Sequence, residues 1–573
     1  MRIPFLYKNR FQQSKDQFNN DREARGQGVS FDKRYYLYLL FIVFFVIYLF
    51  IIFTLVRLGL HGQPKVENFV PELRISAARP DIFDRNGILL ATDIKTYSLY
   101  ADPKRILDAS ETIELLSTVL RDLDWQATYN KLHKNADFVW IRRGLTPKQK
   151  AQIIALGIPA LGFKEEIKRF YPAGATASHV LGYVNIDNKG LAGIEKYIDD
   201  SGLSDLRGLG LTQPDGLKPL YLSIDIRIQS IIHDILKESL KKYQALAAGA
   251  VLLNVKTGEV ISLVSLPDFD PNAPADALKP DRLNRITGAA FELGSTIKSV
   301  TTAMALTSKK FTLDSMIDAS QPLAAGGGKF IHDYYGKNRP LSVAEVFVYS
   351  SNIGSAKEAI AVGPAEHRAF WDKLGLLKKL DIALPEVASP VEPRPWRPIN
   401  SMTIAFGHGL MTTPLQLAVA SGALMNHGIM VSPTFFKRSV AEAKKYSKRV
   451  VEEDVSRDIR YLYRLNGKIG SARQAVVDGY RVGGKTGTAE KVENGKYIRN
   501  KRFNSFDAAF PMDDPQYILF TIIDEPKPLP GTHSATAAMN AAPITKEIIE
   551  KIAIFTGIVP DFDKEQAPVK YKN

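Results

Sequence analysis

The chain has no cysteine. Disulfide bridges, thiolate nucleophiles and cysteine-ligated metal sites are therefore excluded. It also lacks the H-E-x-x-H motif of zinc peptidases and the G-x-S-x-G elbow of many serine hydrolases. A metal site and a Ser-His-Asp triad are not favoured. We interpret His332 and His408 as loop residues, with His408 a possible cleft-edge residue.

Basic residues outnumber acidic ones, and the net charge is +14. They are not gathered into a stripe interleaved with aromatic residues, which is the pattern of a nucleic-acid surface. We therefore expect solvated surface charge and no nucleic-acid partner.

Residues 35–56 form a run of 22 residues without a charge, a glycine or a proline. At about 1.5 Å per residue such a helix would be about 33 Å long, enough to cross a bilayer. The run exceeds a signal-peptide core, and no A-x-A-like cleavage site follows it. We predict an uncleaved transmembrane helix. Eight Lys and Arg residues precede it, so the positive-inside rule predicts a cytoplasmic tail over 1–34 and export of the remainder.

The exported part is long enough for two domains, which we place at 57–222 and 223–573. A segment rich in glycine and polar residues, 205–218, is the predicted linker. Apolar periodicity predicts a helix over 226–243, two strands of a hairpin over 249–266, and a terminal helix over 543–555. This order predicts an α+β fold, in which helices pack on an antiparallel sheet.

Three short motifs occur in a fixed order. The first is S-x-x-K, with Ser295 as a candidate nucleophile and Lys298 one helical turn away. A serine hydroxyl needs an adjacent base, and burial near a helix N-terminus lowers the pKa of a lysine toward that role. The second is S-x-N, in which Ser350 could relay a proton and Asn352 could hold a substrate amide.

The third motif, K-T-G-T, begins at Lys485. On a strand, Thr486 and Thr488 would share one face, and Gly487 would leave room for a substrate backbone. Two look-alikes are rejected. Lys256-Thr257-Gly258 is interpreted as a hairpin turn, and residues 479–486 match a phosphate-binding loop but run into a predicted Asn494-Gly495 hairpin instead of a helix.

With these motifs, the chain resembles a class B penicillin-binding protein, specifically a septal (cell-division) peptidoglycan D,D-transpeptidase. Three further segments carry the resemblance: 79–87, 170–185 and 406–417. Leu293 and Pro80 depart from the family pattern at positions without a chemical role. The resemblance implies a penicillin-binding/serine β-lactamase-like transpeptidase domain, preceded by a non-catalytic, dimerisation-type pedestal over 57–222. It implies no cofactor.

The resemblance also implies roles for the motif residues. Ser295 would be acylated by the penultimate D-Ala of a stem peptide, with Lys298 as base and Ser350 and Lys485 in the proton relay. Asn352, Thr486, Gly487 and Thr488 would bind the substrate, and the backbone N–H groups of Ser295 and Thr488 would form the oxyanion hole. The implied partners are stem peptides on lipid-linked precursor and nascent glycan, β-lactams, a membrane-embedded glycan polymerase and other division proteins.

Other functions remain open at this stage. An elongation-type transpeptidase is less favoured, because K-T-G-T rather than K-S-G-T is the third motif. A β-lactamase is disfavoured because no E-x-x-L-N segment follows the second motif. A D,D-carboxypeptidase, or a non-catalytic division scaffold that binds β-lactams, would keep the same motifs. The expected location is the bacterial inner membrane, with the catalytic domain in the periplasm.

Overall fold

The computed structural model describes residues 33–60, 79–202, 218–493 and 496–563. Three predicted features lie wholly or mostly outside these ranges: the tail 1–34, the linker 205–218 and the Asn494-Gly495 turn. The chain divides into two compact units, 1–74 and 75–573.

The first unit contains one described helix, α1 (Lys33–Leu60). It includes the apolar run 35–56, and its described side chains, at 38 and 40–53, are exposed. Among the described residues, no helix is both long enough and apolar enough to cross a membrane.

The part of the pedestal that the structure describes between residues 79 and 202 is built around the long strand β2. This strand pairs with β1, β3 and β4, all antiparallel. Local signals start its helices: Asp108 and Asp124 accept hydrogen bonds as N-caps, and Thr146 forms a capping box before Pro147. The elements are β1 (Ile82–Phe83), β2 (Leu89–Ala101), α2 (Ala109–Val119), α3 (Trp125–Leu132), β3 (Val139–Leu145), α4 (Pro147–Ala155), β4 (Leu161–Phe170), α5 (Ser178–Leu181) and α6 (Gly193–Asp200).

The C-terminal part, residues 218–563, contains the remaining elements. The strands are β5 (Leu220–Tyr221), β6 (Ala247–Asn254), β7 (Val260–Leu266), β8 (Met316–Asp318), β9 (Leu323–Gly326), β10 (Lys329–Ile331), β11 (Pro340–Ser342), β12 (Ile429–Val431), β13 (Ser447–Arg449), β14 (Gly483–Glu493), β15 (Lys496–Phe510) and β16 (Tyr517–Asp524). The helices are α7 (Ile226–Lys242), α8 (Lys298–Thr307), α9 (Val343–Val348), α10 (Asn352–Val362), α11 (Pro364–Lys373), α12 (Pro398–Ile404), α13 (Pro414–Met425), α14 (Val440–Ala443), α15 (Glu453–Ile469) and α16 (Ala541–Thr556).

Five of these strands form one antiparallel sheet in the order β14-β15-β16-β6-β7. Side chains alternate across it, so Val251 and Leu253 join one core cluster while Ala250 and Leu252 join the other. Helices α7 and α16 cover the second face, and the group α8 to α15 covers the first. The sheet is therefore the buried middle layer, which is the predicted α+β arrangement.

The pedestal is joined to the C-terminal part through a turn that the sequence marks as Asp84-Arg85-Asn86-Gly87. The Asp84 carboxylate accepts hydrogen bonds from its own turn and, at 3.2 Å, from the Ile226 N–H at the start of α7. Asn86 donates to the Asp225 carboxylate at 2.9 Å. Strand β5 also pairs in parallel with β1. This motif thus fastens the pedestal to the first helix of the C-terminal part.

A buried charge cluster holds the pedestal interior together. Glu195 is fully buried and accepts from Arg79 and from Arg169, each at 2.6 Å. Arg169 also pairs with Asp93 at 3.1 Å, and Arg79 with Asp199 at 2.7 Å. Because every charge has a partner, the cluster is tolerated in the interior, and removing one member would leave a costly unpaired charge.

The predicted elements correspond closely to the observed ones. The helix predicted over 226–243 is α7, and the hairpin predicted over 249–266 is β6 and β7 with Lys256-Thr257-Gly258 at the turn. The last helix starts at Ala541, where the Asn540 side chain caps it, so Pro543 lies inside the first turn and does not open the helix. The phosphate-loop reading of 479–486 is excluded, because a strand covers Lys485.

A carboxyl group is buried in the central sheet at Asp507. Its Oδ2 accepts hydrogen bonds from Ser421 at 2.5 Å and Tyr463 at 2.8 Å, whereas Oδ1 has no partner in the described part of the chain. Burial raises the pKa of Asp507 to about 7. Between about pH 4 and 7 the folded protein thus holds a proton that the unfolded chain releases, and the free energy of unfolding falls as the pH rises through this window.

We therefore expect Asp507→Asn to reduce the loss of stability between pH 5 and pH 8. With a pKa of about 7 in the folded protein and an ordinary value near 4 in the unfolded chain, this loss is roughly 2–3 kcal/mol between pH 5 and pH 8, and asparagine does not titrate. Urea unfolding of the full-length protein at both pH values measures the effect, with the exposed Asp478→Asn as the matched control. An equal loss in wild type and Asp507→Asn would contradict the assignment.

Candidate active site

Ser295 lies in a 3-10 turn, Gly294–Ile297, that leads directly into α8. The turn is anchored by Thr296, whose hydroxyl donates to the Leu293 carbonyl at 2.7 Å. Lys298 follows as the first residue of α8 and is fully buried. The serine side chain, in contrast, is partly exposed and lines a cavity of about 350 Å³.

The buried ammonium group of Lys298 is held by the second motif. Its Nζ donates to the Ser350 carbonyl at 2.5 Å, to Ser350 Oγ at 3.1 Å and to Asn352 Oδ1 at 2.7 Å. Ser350 adopts a left-handed conformation with φ of 59°. Such a conformation costs on the order of 1–3 kcal/mol for a residue with a side chain, and it points the Ser350 carbonyl and hydroxyl at the same lysine.

Lys485 approaches the same hydroxyl from the sheet. Its Nζ lies 2.9 Å from Ser350 Oγ and is fully buried. Ser350 thus stands between two lysines, one from each of the other motifs. This is the arrangement that a proton relay requires, because a hydroxyl can accept from both amines and still donate its own proton.

Burial makes both lysines easier to deprotonate. It lowers the pKa of Lys485 to about 7. It also lowers the pKa of Lys298 well below 10.5, and the nearby charge of Lys485 lowers it further. Asp333 and Glu358 act in the opposite direction on Lys298. The three acceptors around Lys298 Nζ stabilise its protonated form, whereas desolvation favours the neutral amine. These two effects oppose each other in setting the protonation state of Lys298.

Strand β14 carries the third motif along the cavity. Thr486 and Thr488 face the cavity, and Lys485 has the opposite parity. Each threonine hydroxyl has a protein partner: Thr486 Oγ1 lies 2.8 Å from Ser471 Oγ, and Thr488 Oγ1 accepts from the Ala537 N–H at 3.0 Å. Both can still donate toward a ligand, since a hydroxyl has one donor and two acceptor positions.

The role expected for Gly487 needs correction. A Cβ placed on Gly487 would lie 2.4 Å from the Leu293 carbonyl oxygen and 2.5 Å from Ser505 Oγ. The missing side chain therefore leaves room for the protein's own nucleophile turn and not for a substrate backbone. The physical reason is strand parity: the face of residue 487 is turned away from the face that carries the two threonines.

The same close packing sets the chain next to Ser295 against Thr488 of β14. A Cβ placed on Gly294, which has φ of +58°, would lie 2.8 Å from the backbone oxygen and 3.1 Å from the backbone nitrogen of Thr488. The chain immediately before Ser295 thus lies against the chain of Thr488. These are the two residues whose N–H groups were expected to form an oxyanion hole.

The cavity shared by these residues also has aromatic and charged walls. His408 contributes to it, and burial lowers its pKa to about 4, so the ring is neutral at pH 7. Its Nδ1 has no hydrogen-bond partner among the described residues, so none of their carboxylates orients the ring as a catalytic triad requires. The lining residues are Ser295, Tyr334, Tyr335, Tyr349, Ser350, Asn352, Phe406, His408, Ser471, Thr486, Thr488, Glu490, Arg502, Thr536 and Ala538.

Asp333 is a site residue that sequence reasoning missed. Its carboxylate accepts from the Ser351 hydroxyl at 2.7 Å and from the Ile353 N–H at 3.0 Å. The preceding residue also contributes, because its carbonyl accepts from the Asn352 amide at 3.0 Å. This loop therefore orients the second motif. No local signal in the sequence marks Asp333, since His332-Asp333 resembles an ordinary loop dipeptide. Ser471, the partner of Thr486, was missed for the same reason, because it resembles an ordinary serine at a helix end.

We expect Asp333→Asn to slow acylation of Ser295 by a β-lactam about tenfold or more. Asparagine can accept only one of the two hydrogen bonds, and each bond to a charged group contributes about 1.5–3 kcal/mol. Removing this negative charge should also lower the pKa of Lys298, so the acid limb of the pH–rate profile should move to lower pH. A stopped-flow acylation profile measures both effects.

The exposed Asp314→Asn, on a nearby loop, is the control for that experiment. A purely structural role for Asp333 would lower thermal stability and leave the position of the acid limb unchanged, contrary to our expectation.

The fold and the site together define a serine-type acyltransferase class, and comparison with known proteins gives the family. Residues 248–550 match the family model of the penicillin-binding protein transpeptidase domain, and residues 74–207 match that of the penicillin-binding protein dimerisation domain. The crystal structure of penicillin-binding protein 2X from Streptococcus thermophilus has a similar fold. Its TM-score is 0.66 at 22% identity, covering 84% of this chain and 80% of that one.

Curated relatives agree with these matches. The probable peptidoglycan D,D-transpeptidase FtsI of Caulobacter vibrioides is 37% identical over 498 residues, which are 84% of this chain and 82% of the relative. The peptidoglycan D,D-transpeptidase FtsI of Escherichia coli is 28% identical over 514 residues, 85% of each chain. The chain belongs to the penicillin-binding protein family, in which a dimerisation domain precedes a transpeptidase domain. The family predicted from the motifs is confirmed.

Proposed function

We propose that this protein is a peptidoglycan D,D-transpeptidase that cross-links stem peptides during septal wall synthesis. The observation that carries the proposal is the position of the Ser350 hydroxyl, in contact with both Lys298 and Lys485 beside the cavity that Ser295 lines. The names of the similar FtsI proteins support the same substrate class.

The proposed first half-reaction acylates the serine. The hydroxyl of Ser295 transfers its proton to neutral Lys298 and forms an ester bond with the carbonyl carbon of the penultimate D-Ala. The backbone N–H groups of Ser295 and Thr488 stabilise the developing oxyanion. The C–N bond to the terminal D-Ala breaks, and the leaving amine takes a proton through Ser350, which Lys298 and Lys485 both contact.

Substrate contacts follow from the same geometry. Thr486 and Thr488 donate to the terminal carboxylate, and Asn352 orients the acyl chain. In the second half-reaction the amine of a neighbouring stem attacks the ester carbon, and Ser295 recovers its proton. A β-lactam would enter the first half-reaction and remain as an ester, because no free leaving group departs to admit the acceptor.

We expect labelled penicillin to form a long-lived adduct on Ser295, because the deacylating E-x-x-L-N segment of class A β-lactamases is missing from the sequence. Peptide mass spectrometry of the full-length protein locates the label, and Ser295→Ala should abolish it. Ser30→Ala is a matched control, since Ser30-Phe31-Asp32-Lys33 is another S-x-x-K of the chain. Rapid turnover of the adduct, or a label on another residue, would refute the proposal.

The proposal extends to location. Residues 35–56 would anchor the protein in the bacterial inner membrane as a single span, with residues 1–34 in the cytoplasm and the catalytic domain in the periplasm. The uncharged sequence supports this extension. A membrane-embedded glycan polymerase of the division machinery would bind this helix and the pedestal.

A helix exchange tests this extension. We replace residues 35–56 with an unrelated apolar helix of equal length and keep the flanking charges, so that orientation is preserved. We expect membrane fractionation to be unchanged, and septal localisation and co-purification of the polymerase to be lost. If both survive, the helix is only a tether. If the native protein fractionates as soluble, the anchor itself is wrong.

A further inference from the structure

Glu490 and Arg502 form an oppositely charged pair in the wall of the cavity that Ser295 lines. They are direct cross-strand neighbours in the antiparallel pairing of β14 with β15. Directly opposite residues project to the same face of a sheet. The cavity therefore has one negative and one positive group side by side, in addition to the residues of the three motifs.

The two charges do not neutralise each other by contact. The guanidinium of Arg502 donates to Ser534 Oγ at 3.2 Å, and among the described residues no ion pair joins it to Glu490. Both side chains are partly exposed to the cavity. The strand pairing becomes irregular immediately after Glu490, a position at which a bulge can redirect side chains. Each group can thus accept a ligand partner.

Glu490, and Arg502 opposite it, lie on the same face of the sheet as the threonines that are proposed to bind the terminal carboxylate. Thr486, Thr488 and Glu490 alternate along β14 and share one face, and adjacent members are about 6.6 Å apart. An extended peptide has the same repeat. A donor whose terminal residue lies at Thr488 therefore places the residue two positions earlier close to Glu490.

Only one direction along β14 is open to such a peptide. At the start of the strand, Ser471 Oγ lies 2.8 Å from Thr486 Oγ1, and the Asn466 side chain of α15 donates to the Gly484 carbonyl at 2.6 Å. That end is covered by helix α15 and its neighbours. The cavity lining begins at Thr486 and extends to Glu490. The donor peptide must consequently run toward the charged pair.

We propose that Glu490 and Arg502 select a donor whose third stem residue has a side chain ending in both an ammonium and a carboxylate group. Glu490 binds the ammonium, and Arg502 binds the carboxylate. A diaminopimelate-type residue has this zwitterionic end, whereas a lysine offers only the ammonium. This inference rests on the proposed transpeptidase function and specifies its substrate class.

Three synthetic pentapeptide donors, identical except at the third residue, test the inference: meso-diaminopimelate, L-lysine and Nε-acetyl-L-lysine. D-Ala release by the full-length protein gives kcat/KM for each. We expect the order diaminopimelate, lysine, acetyl-lysine, with steps of about five- to tenfold, between the values for an exposed pair and for a charged hydrogen bond. Glu490→Gln should remove the preference for lysine over acetyl-lysine. Arg502→Gln should reduce diaminopimelate to the level of lysine.

Matched controls are Glu114→Gln and Arg105→Gln, exposed charges on the pedestal, which should leave all three values unchanged. Penicillin acylation of each variant reports a folded site. If penicillin labels Ser295 but the wild type does not discriminate among the donors, this inference fails and the proposed function stands. If penicillin does not label Ser295, the proposed function fails.

The wild type also provides a test that does not depend on variants. Preference for the charged donors should decrease at high salt, because ion pairs at a partly exposed site are screened. A preference that is independent of salt, or Gln variants that change thermal stability and leave the donor preference unchanged, would overturn the proposal.

Discussion

Two buried lysines that share one hydroxyl are the constraint on which this structure depends. Lys298 and Lys485 both contact Ser350 Oγ, and neither is exposed to solvent. Taking two ammonium groups out of water next to each other is unfavourable, so the arrangement persists only because deprotonation relieves it. A fold that must bury these lysines therefore produces a base and a proton relay as a consequence of its packing.

The surrounding structure maintains this strained centre in two ways. Ser350 is held in its left-handed conformation by the loop at Asp333, which binds the residues that follow it. The nucleophile turn packs against β14, and Gly294 of the turn and Gly487 of the strand permit backbone contact that any side chain would prevent. Preorganisation of this kind means that the site does not need to rearrange when charge develops in the reaction.

The pedestal contacts the C-terminal part through helix α7. The Asp84 turn fastens it to the N-terminus of α7, and α7 packs on the face of the sheet opposite to the catalytic helices. Hydrogen bonds and packing therefore connect the pedestal to the central sheet through α7. The buried cluster around Glu195 keeps the pedestal side of this connection ordered, because its charges cannot be separated without exposing an unpaired ion.

The sequence by itself determined the family, the α+β layering, the main helices and hairpin, and the three motifs, since apolar periodicity and short-range spacing are local properties. It also distinguished the true K-T-G-T from two look-alikes, because turn chemistry is local too. Only the tertiary structure decided that Lys298 contacts Ser350 and Asn352, that Gly487 faces the protein's own turn, and that Asp333 orients the second motif. These facts depend on contacts between residues far apart in the chain and on which strand face is covered, and neither is encoded in local spacing.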